Sequence, residues 1–298
     1  MKEDKSRVER IAHQAPGIRD IVDSSTSTGT SEPLSAELLK KISATLKLQN
    51  PLGTTYLADK SVKLAPLFLI HDGSGICLSY HRIQPFGRTI YAVHDPKFLE
   101  PDSWSGIPAM AQAYAKLIKA TNSGPLILGG WSFGGVVAFE AARVLQAEGH
   151  AVAGVVLIDS PPPFNHKPLS AAIINDVVRG GGKGELIGDT IRSLVRKSFT
   201  SCARMLESFK PEAATNTSRP APRTFLLRLT NSYDLNTEND GGEFENPWLQ
   251  DRSDPRTSIV GWEIVTGAKV PHTDIPGNHF QAFDAANVSD ATVSCYDI

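Results

Sequence analysis

PLILGGWSFGGVVAFEAARVL, residues 125–145, runs three kinds of sequence together without a spacer. Residues 125–129 are an apolar run of strand length. Residues 136–145 carry the apolar spacing of a well-buried helix. Between them stands Gly130-Trp131-Ser132-Phe133-Gly134, a G-x-S-x-G sequence followed by Gly135. A G-x-S-x-G turn between a strand and a helix is the setting of a nucleophile elbow. The serine of such an elbow sits on strained backbone, so its neighbours must lack bulky Cβ substituents. The turn lifts Oγ above the sheet, and the helix that starts there aims unpaired N–H groups at whatever binds beside it. Ser132 is therefore the candidate nucleophile.

The same texture extends to both sides. PLFLIH (66–71), TIYAVH (89–94), GVVLIDS (154–160) and TFLLRLT (224–230) are further apolar runs of about strand length. Helical stretches such as IPAMAQAYAKLIKA (107–120) and VVAFEAARVLQAEG (136–149) alternate with them. Apolar runs without polar alternation are strands covered on both faces, so the expected class is α/β with a mostly parallel, doubly wound sheet. The rhythm breaks once. About 60 residues separate GVVLIDS from TFLLRLT, far more than an ordinary connection needs. LSAAIINDVV (169–178) and IRSLVRKSFTSCARMLESF (191–209) read as helices interrupted by GGGKG (180–184). An insertion of this kind, over about residues 161–220, is expected to form a helical lid on the edge of the sheet where ligands bind. Residues 1–60 read as an N-terminal linker containing a short amphipathic helix, LSAELLKKISATLKL (34–48). Residues 61–298 read as the α/β domain that carries the elbow.

Composition narrows the function. The length of 298 residues suits one large α/β domain or two small ones, and 41% hydrophobic with 21% charged residues is an ordinary globular composition that excludes disorder throughout. Thirty Lys and Arg against 32 Asp and Glu give a net charge of −2, which excludes a bulk electrostatic grip on nucleic acid or on an anionic membrane. Cys77, Cys202 and Cys295 are odd in number and widely spaced, so they suggest neither a disulfide framework nor a metal site. The N-terminus is charged where a signal peptide would be apolar, and no apolar run is long enough to span a bilayer. The expected location is the cytoplasm.

A serine hydroxyl needs a general base and an acid to orient it. Of the eight histidines, His272 and His279 lie late enough in the chain to serve. His279 follows the last strand-like run, VPHTDI (270–275), in the turn sequence IPGNHF (275–280). His272 lies inside that run and reads as an edge residue, so His279 is the candidate base. Two residues compete for the acid: Asp159 at the end of GVVLID, and Asp234 just past TFLLRLT. Both follow strand-like runs, and the residues alone leave the choice open. An oxyanion hole needs two N–H donors. Phe133, next to the nucleophile, offers one, and the small-residue loop Asp72-Gly73-Ser74-Gly75 offers Gly73 or Ser74 as the second.

Taken together, HDGSG with the downstream Tyr80, GGWSFGGVVAFEAARVL, VVLIDSPPP, the long insertion and IPGNHF resemble the type I thioesterase domains of polyketide and non-ribosomal peptide synthases. LIDSPPP (157–163), DPRTSIVGWEIVTGAKV (254–270) and PGNHF make the resemblance strongest to those of fungal non-reducing polyketide synthases. It covers about Pro66 to Phe283. It implies an α/β-hydrolase fold and a thioesterase acting through Ser132, His279 and an acid in the slot that Asp159 fills. It implies a polyketide acyl substrate carried on the phosphopantetheine arm of an acyl carrier protein or domain, and no metal or redox cofactor. The acyl chain would leave by hydrolysis, by lactone formation or by transfer to an alcohol or phenol. Carbon–carbon (Claisen) release on the same triad, or a small-ester esterase, are the alternatives. No carrier motif precedes the domain, so it is expected to be either an excised domain or a free-standing chain. Within residues 166–210, eight basic residues stand against four acidic ones, a local excess of +4 that suits either the docking of an acidic carrier or an ordinary solvated helix face.

Overall fold

Each of the apolar runs is a strand in the computed structural model, which describes residues 46–48, 64–83, 88–100, 104–164, 166–179, 189–211, 220–233, 246–284 and 287. The strands are β1 (Leu46–Leu48), β2 (Leu67–Ile70), β3 (Ile90–Val93), β4 (Leu126–Trp131), β5 (Val152–Ile158), β6 (Thr224–Leu229) and β7 (His272–Ile275). They form one sheet in the order β1-β3-β2-β4-β5-β6-β7. β1 pairs antiparallel with β3, and every other pairing is parallel. Every residue of β2 and of β4 is buried, which is why these strands show no polar alternation.

Two long helices cover one face of the sheet, and the 3₁₀ turn of Leu78–Arg82 packs on the other with Ala282 and Phe283. α1 (Ile107–Thr121) buries Ile107, Met110, Ala111, Tyr114, Ala115 and Ile118, one stripe at helical spacing. α2 (Phe133–Ala147) is buried along most of its length. The pleat sends neighbouring strand residues to opposite faces. Phe68 and Ile70 pack with α1 and α2, whereas Leu67 and Leu69 pack with Tyr80, Trp131 and Phe283 on the other side.

The insertion supplies α3 (Ala171–Arg179) and α4 (Asp189–Ser208). Ile174 and Val178 from α3 join Ile191, Val195 and Phe199 from α4 in one cluster with Phe98, which follows β3. Cys202, Met205 and Leu206 carry α4 into the main core. The helical insertion is thus a packed layer at the carboxyl ends of the strands. Its glycine segment, residues 180–184, lies outside the described residues. Among the described residues two further short helices follow, α5 (Pro247–Gln250) and α6 (Ile259–Thr266).

One expectation fails at the N-terminal side. A helix was expected over residues 34–48, but Leu46–Leu48 is an edge strand paired with Ile90–Ala92. Leu-Lys-Leu alternates with period two, and its partner strand offers a free edge, so pairing overrides the helical spacing of the longer segment. The sheet therefore begins inside the stretch assigned to the linker. The rest of that stretch before residue 46 lies outside the described residues.

Candidate active site

The elbow is local in origin. Ser132 has φ 57° and ψ −126°, a conformation that costs free energy for any residue with a Cβ. What holds it is the close passage of the chain around it. A Cβ on Gly130 would lie 2.3 Å from the Gly134 carbonyl carbon, and one on Gly134 would lie 2.4 Å from the Ile70 and His71 carbonyl oxygens. With glycine at both positions, α2 starts directly against the ends of β2 and β4. The Ser132 N–H donates to the Ile158 carbonyl at 2.9 Å, which ties the elbow to the strand that carries the acid candidate.

Tyr80 braces the same turn. Its hydroxyl donates to the Ile70 carbonyl at 2.6 Å and accepts the Trp131 N–H at 2.8 Å. One buried phenol thereby links the end of β2 to the residue before the nucleophile. The oxyanion candidates divide. Phe133 opens α2, so its N–H has no carbonyl one turn back to receive it. The Ser74 N–H is already donated to Asp72 Oδ1 at 2.8 Å, and its hydroxyl donates to the same oxygen. Ser74 is therefore corrected as a backbone donor, because the aspartate side chain closes a turn on it. No hydrogen bond of the described residues takes up the Gly73 N–H. Gly73 lies under the lid: a Cβ there would meet the Phe199 ring of α4 at 2.7 Å.

Asp159 ends β5 with φ 44°, turning its carboxylate away from the strand path. It is 3% exposed and satisfied on both oxygens. Oδ2 accepts from His279 Nδ1 at 2.7 Å and from Arg252 Nη2 at 2.7 Å. Oδ1 accepts from Arg252 Nη1 at 3.1 Å and from the Leu229 N–H at 3.0 Å. Burial alone would raise the carboxyl, but the Arg252 charge and the His279 hydrogen bond outweigh it and hold Asp159 below the ordinary carboxylate value. An ionised carboxylate only accepts hydrogen bonds, so Nδ1 of His279 carries a proton and Nε2 of the neutral ring is the basic nitrogen.

His279 is 2% exposed. It sits in a short 3₁₀ turn that Asn278 caps, with the Asn278 side chain accepting the Phe280 N–H. The rings of Trp131, Trp248 and Phe280 surround the imidazole at centroid distances of 5.2, 4.7 and 5.0 Å. Burial pushes the imidazole below its ordinary value. Asp159 pulls it up, and the Arg252 charge adds to the downward push. Trp131, the residue before the nucleophile, is thus the contact that joins the elbow to the histidine; no direct hydrogen bond from Ser132 to His279 occurs among the described residues. Catalytic hydrogen bonds are commonly long in enzymes without substrate and tighten on binding. His272 is exposed on β7, as expected of an edge residue. Asp234 lies outside the described residues.

Two residues of this site escape the sequence. Arg252 sits in LQDRSD, where alternating charges read as a solvated loop. Trp248 lies in α5, too short to show a periodicity. Its ring packs edge-on to His279, faces His166 at 5.6 Å and receives the Arg252 guanidinium at 5.7 Å.

Residues 65–296 match the family model described as the thioesterase domain. An orsellinic acid synthase of Beauveria bassiana is 45% identical over 264 residues, covering 78% of this chain and 12% of that protein. The chain thus spans about an eighth of the length of that relative. A thioesterase of Alternaria alternata, AMT4, is 30% identical over 231 residues, covering 75% of this chain and 80% of that protein. Among solved structures, the thioesterase domain of NocB superposes with a TM-score of 0.57 at 23% identity, covering 78% of this chain and 94% of that one, a likeness of fold. Among the described residues no helix is long and apolar enough to cross a membrane.

Proposed function

The chain belongs to the thioesterase-domain family, and from that premise we propose that it releases a polyketide acyl chain from a carrier-bound thioester through an acyl-Ser132 intermediate. The observation that carries the reading is the buried His279–Asp159 hydrogen bond of 2.7 Å, packed through Trp131 against a serine in elbow conformation.

The steps follow from these positions. His279 Nε2 takes the Ser132 hydroxyl proton as Oγ attacks the thioester carbonyl carbon. The oxyanion that forms is received by the N–H groups of Phe133 and Gly73. When the tetrahedral adduct collapses, the carbon–sulfur bond breaks and the imidazolium returns its proton to the departing thiol. An ester on Ser132 remains. Water, or a hydroxyl of the chain or of an external alcohol or phenol, then loses its proton to His279 and attacks the same carbonyl. The ester bond to Ser132 breaks, and Oγ recovers the proton. Asp159 keeps one tautomer of His279 throughout and offsets the imidazolium charge. The sulfur partner in this reading is the phosphopantetheine of an acyl carrier protein or domain. Support for it comes from the polyketide synthases among the relatives. A half-buried Ser132 beside a buried His279–Asp159 pair suits a substrate delivered on a tethered arm.

Mass spectrometry of the products formed from aryl thioesters, with and without alcohol acceptors, tests the proposal. Free thiol together with an acid or ester product, both lost in Ser132→Ala, is the expected result. A carbon–carbon cyclised product insensitive to added alcohol would replace the release mode by Claisen chemistry. Faster turnover of short alkyl esters than of thioesters would remove the polyketide substrate.

A further inference from the structure

The feature that the triad chemistry leaves unused is the cation beside it. We propose that Arg252 is a positioning residue of the triad, holding Asp159 in a two-pronged ion pair that fixes the carboxylate toward His279 and sets a permanent positive charge beside the imidazole. The inference rests on the reading of Ser132, His279 and Asp159 as a triad.

The geometry is specific. An ionised carboxylate has about four acceptor positions. Here four donors fill them: two from Arg252, one from His279 and one from the Leu229 backbone. The carboxylate cannot turn without breaking the fork. Nor can the guanidinium drift, because it is buried and lies over the Trp248 ring, whose own edge supports His279. One indole therefore sets both partners of Asp159.

The charges add a second consequence. With Asp159 and Arg252 neutralising each other, protonation of His279 leaves a net positive site, where an isolated aspartate would leave a neutral one. The other groups around the imidazole do not alter this. Trp131, Trp248 and Phe280 are uncharged. His166, beyond Trp248, is pushed down to about 4 by burial and is neutral at working pH. Arg228 on β6 feels Asp159 but is paired with Asp274 on β7 at 2.8 Å. Arg252 therefore keeps the imidazole unprotonated into more acidic solution, at the expense of basicity. An activated thioester tolerates a weaker base than an amide does.

The test uses the full chain with Arg252→Met, Arg252→Gln and Arg252→Lys. Two rates are followed against pH: modification of Ser132 by a fluorophosphonate, and kcat/KM for an aryl thioester. The acid limb should move to higher pH in the Met and Gln variants, so that the loss at the acid foot exceeds the plateau loss by at least about tenfold. The Lys variant keeps the charge without the fork. Its acid limb should stay in place while its plateau falls about three- to tenfold. One common factor at every pH in all three folded variants would reduce Arg252 to a structural tie and overturn the proposal. Should the Met and Gln variants fail to fold, Arg252→Lys decides: an undiminished plateau, or a displaced acid limb, overturns it. Wild-type thioester turnover without modification of Ser132 would refute the triad reading itself, and this inference with it.

Discussion

Ser132 and Asp159 stand at the ends of adjacent parallel strands, and both have positive φ, yet they are held in opposite ways. The serine is held mainly by its immediate surroundings. Glycines two positions to either side let β4 and α2 pass within contact, and the strain of the turn follows from that passage. The aspartate is held by groups 70, 93 and 120 positions away in the chain: the Leu229 N–H, the Arg252 fork and the His279 ring. A conformation imposed by steric exclusion is written in a few adjacent residues. A carboxylate satisfied by long-range donors exists only once β6, the segment after α5 and the turn after β7 have all come together. The first should resist distant substitutions, and the second should respond to them.

The largest effect that separates the two halves lies in the acid itself. Asp159→Asn keeps the shape but removes the charge opposite imidazolium. A loss of roughly 10⁴-fold in kcat is expected, by analogy with triad acids elsewhere. Asp234→Asn, in the competing position, should cost less than about tenfold. The reverse ranking in two folded variants would move the acid to the later strand and dissolve the comparison.

Tyr80→Phe probes the elbow half. It leaves the Ile70 carbonyl and the Trp131 N–H without their shared partner in the core. A destabilisation of about 1–3 kcal/mol is expected by denaturant unfolding. Because glycine packing and the bond to Ile158 still hold Ser132, the acid limb of the pH profile should not move. A displaced limb would show that the elbow and the acid half are not separable.

The smallest effect concerns His166. Burial lowers it to about 4, against 6.5 for an ordinary imidazole. Between those values the unfolded chain binds a proton that the folded chain refuses, so stability falls as pH drops from 6.5 toward about 4. His279, also lowered by burial, acts in the same direction. His166→Gln should flatten the slope of unfolding free energy against pH in that window. An unchanged slope would mean that His166 titrates alike in both states.

The comparison also explains how much of the molecule was legible in its sequence. Five of the seven strands described were visible as apolar runs, most plainly β2 and β4, where burial on both faces leaves no polar residue; β7, His-Thr-Asp-Ile and largely exposed, was legible only as a strand-like run before IPGNHF. β1 was hidden, since three residues on an edge carry too little pattern to outweigh the helical spacing around them. Ser132 was readable from its own pentapeptide. The insertion's two helices were visible from their spacing, though not their packing over Gly73. Asp159 could not be separated from Asp234 by spacing, because both follow strand runs, and only the likeness to a known family favoured one. Arg252 left no mark, because a charged residue among charged residues looks solvated until the tertiary fold buries it. Ser74 was misread because its loop's smallness was visible, while the use of its N–H by Asp72 depends on side-chain geometry.

The central claim is that the His279–Asp159 pair activates Ser132. Peptide mapping after fluorophosphonate treatment of the wild-type chain and of His279→Ala tests it most directly. The account predicts a single adduct on Ser132 in the wild type, and a rate of modification lower by about 10³-fold or more in the folded His279→Ala variant. An adduct on another residue, or modification of Ser132 at an undiminished rate without His279, would contradict it.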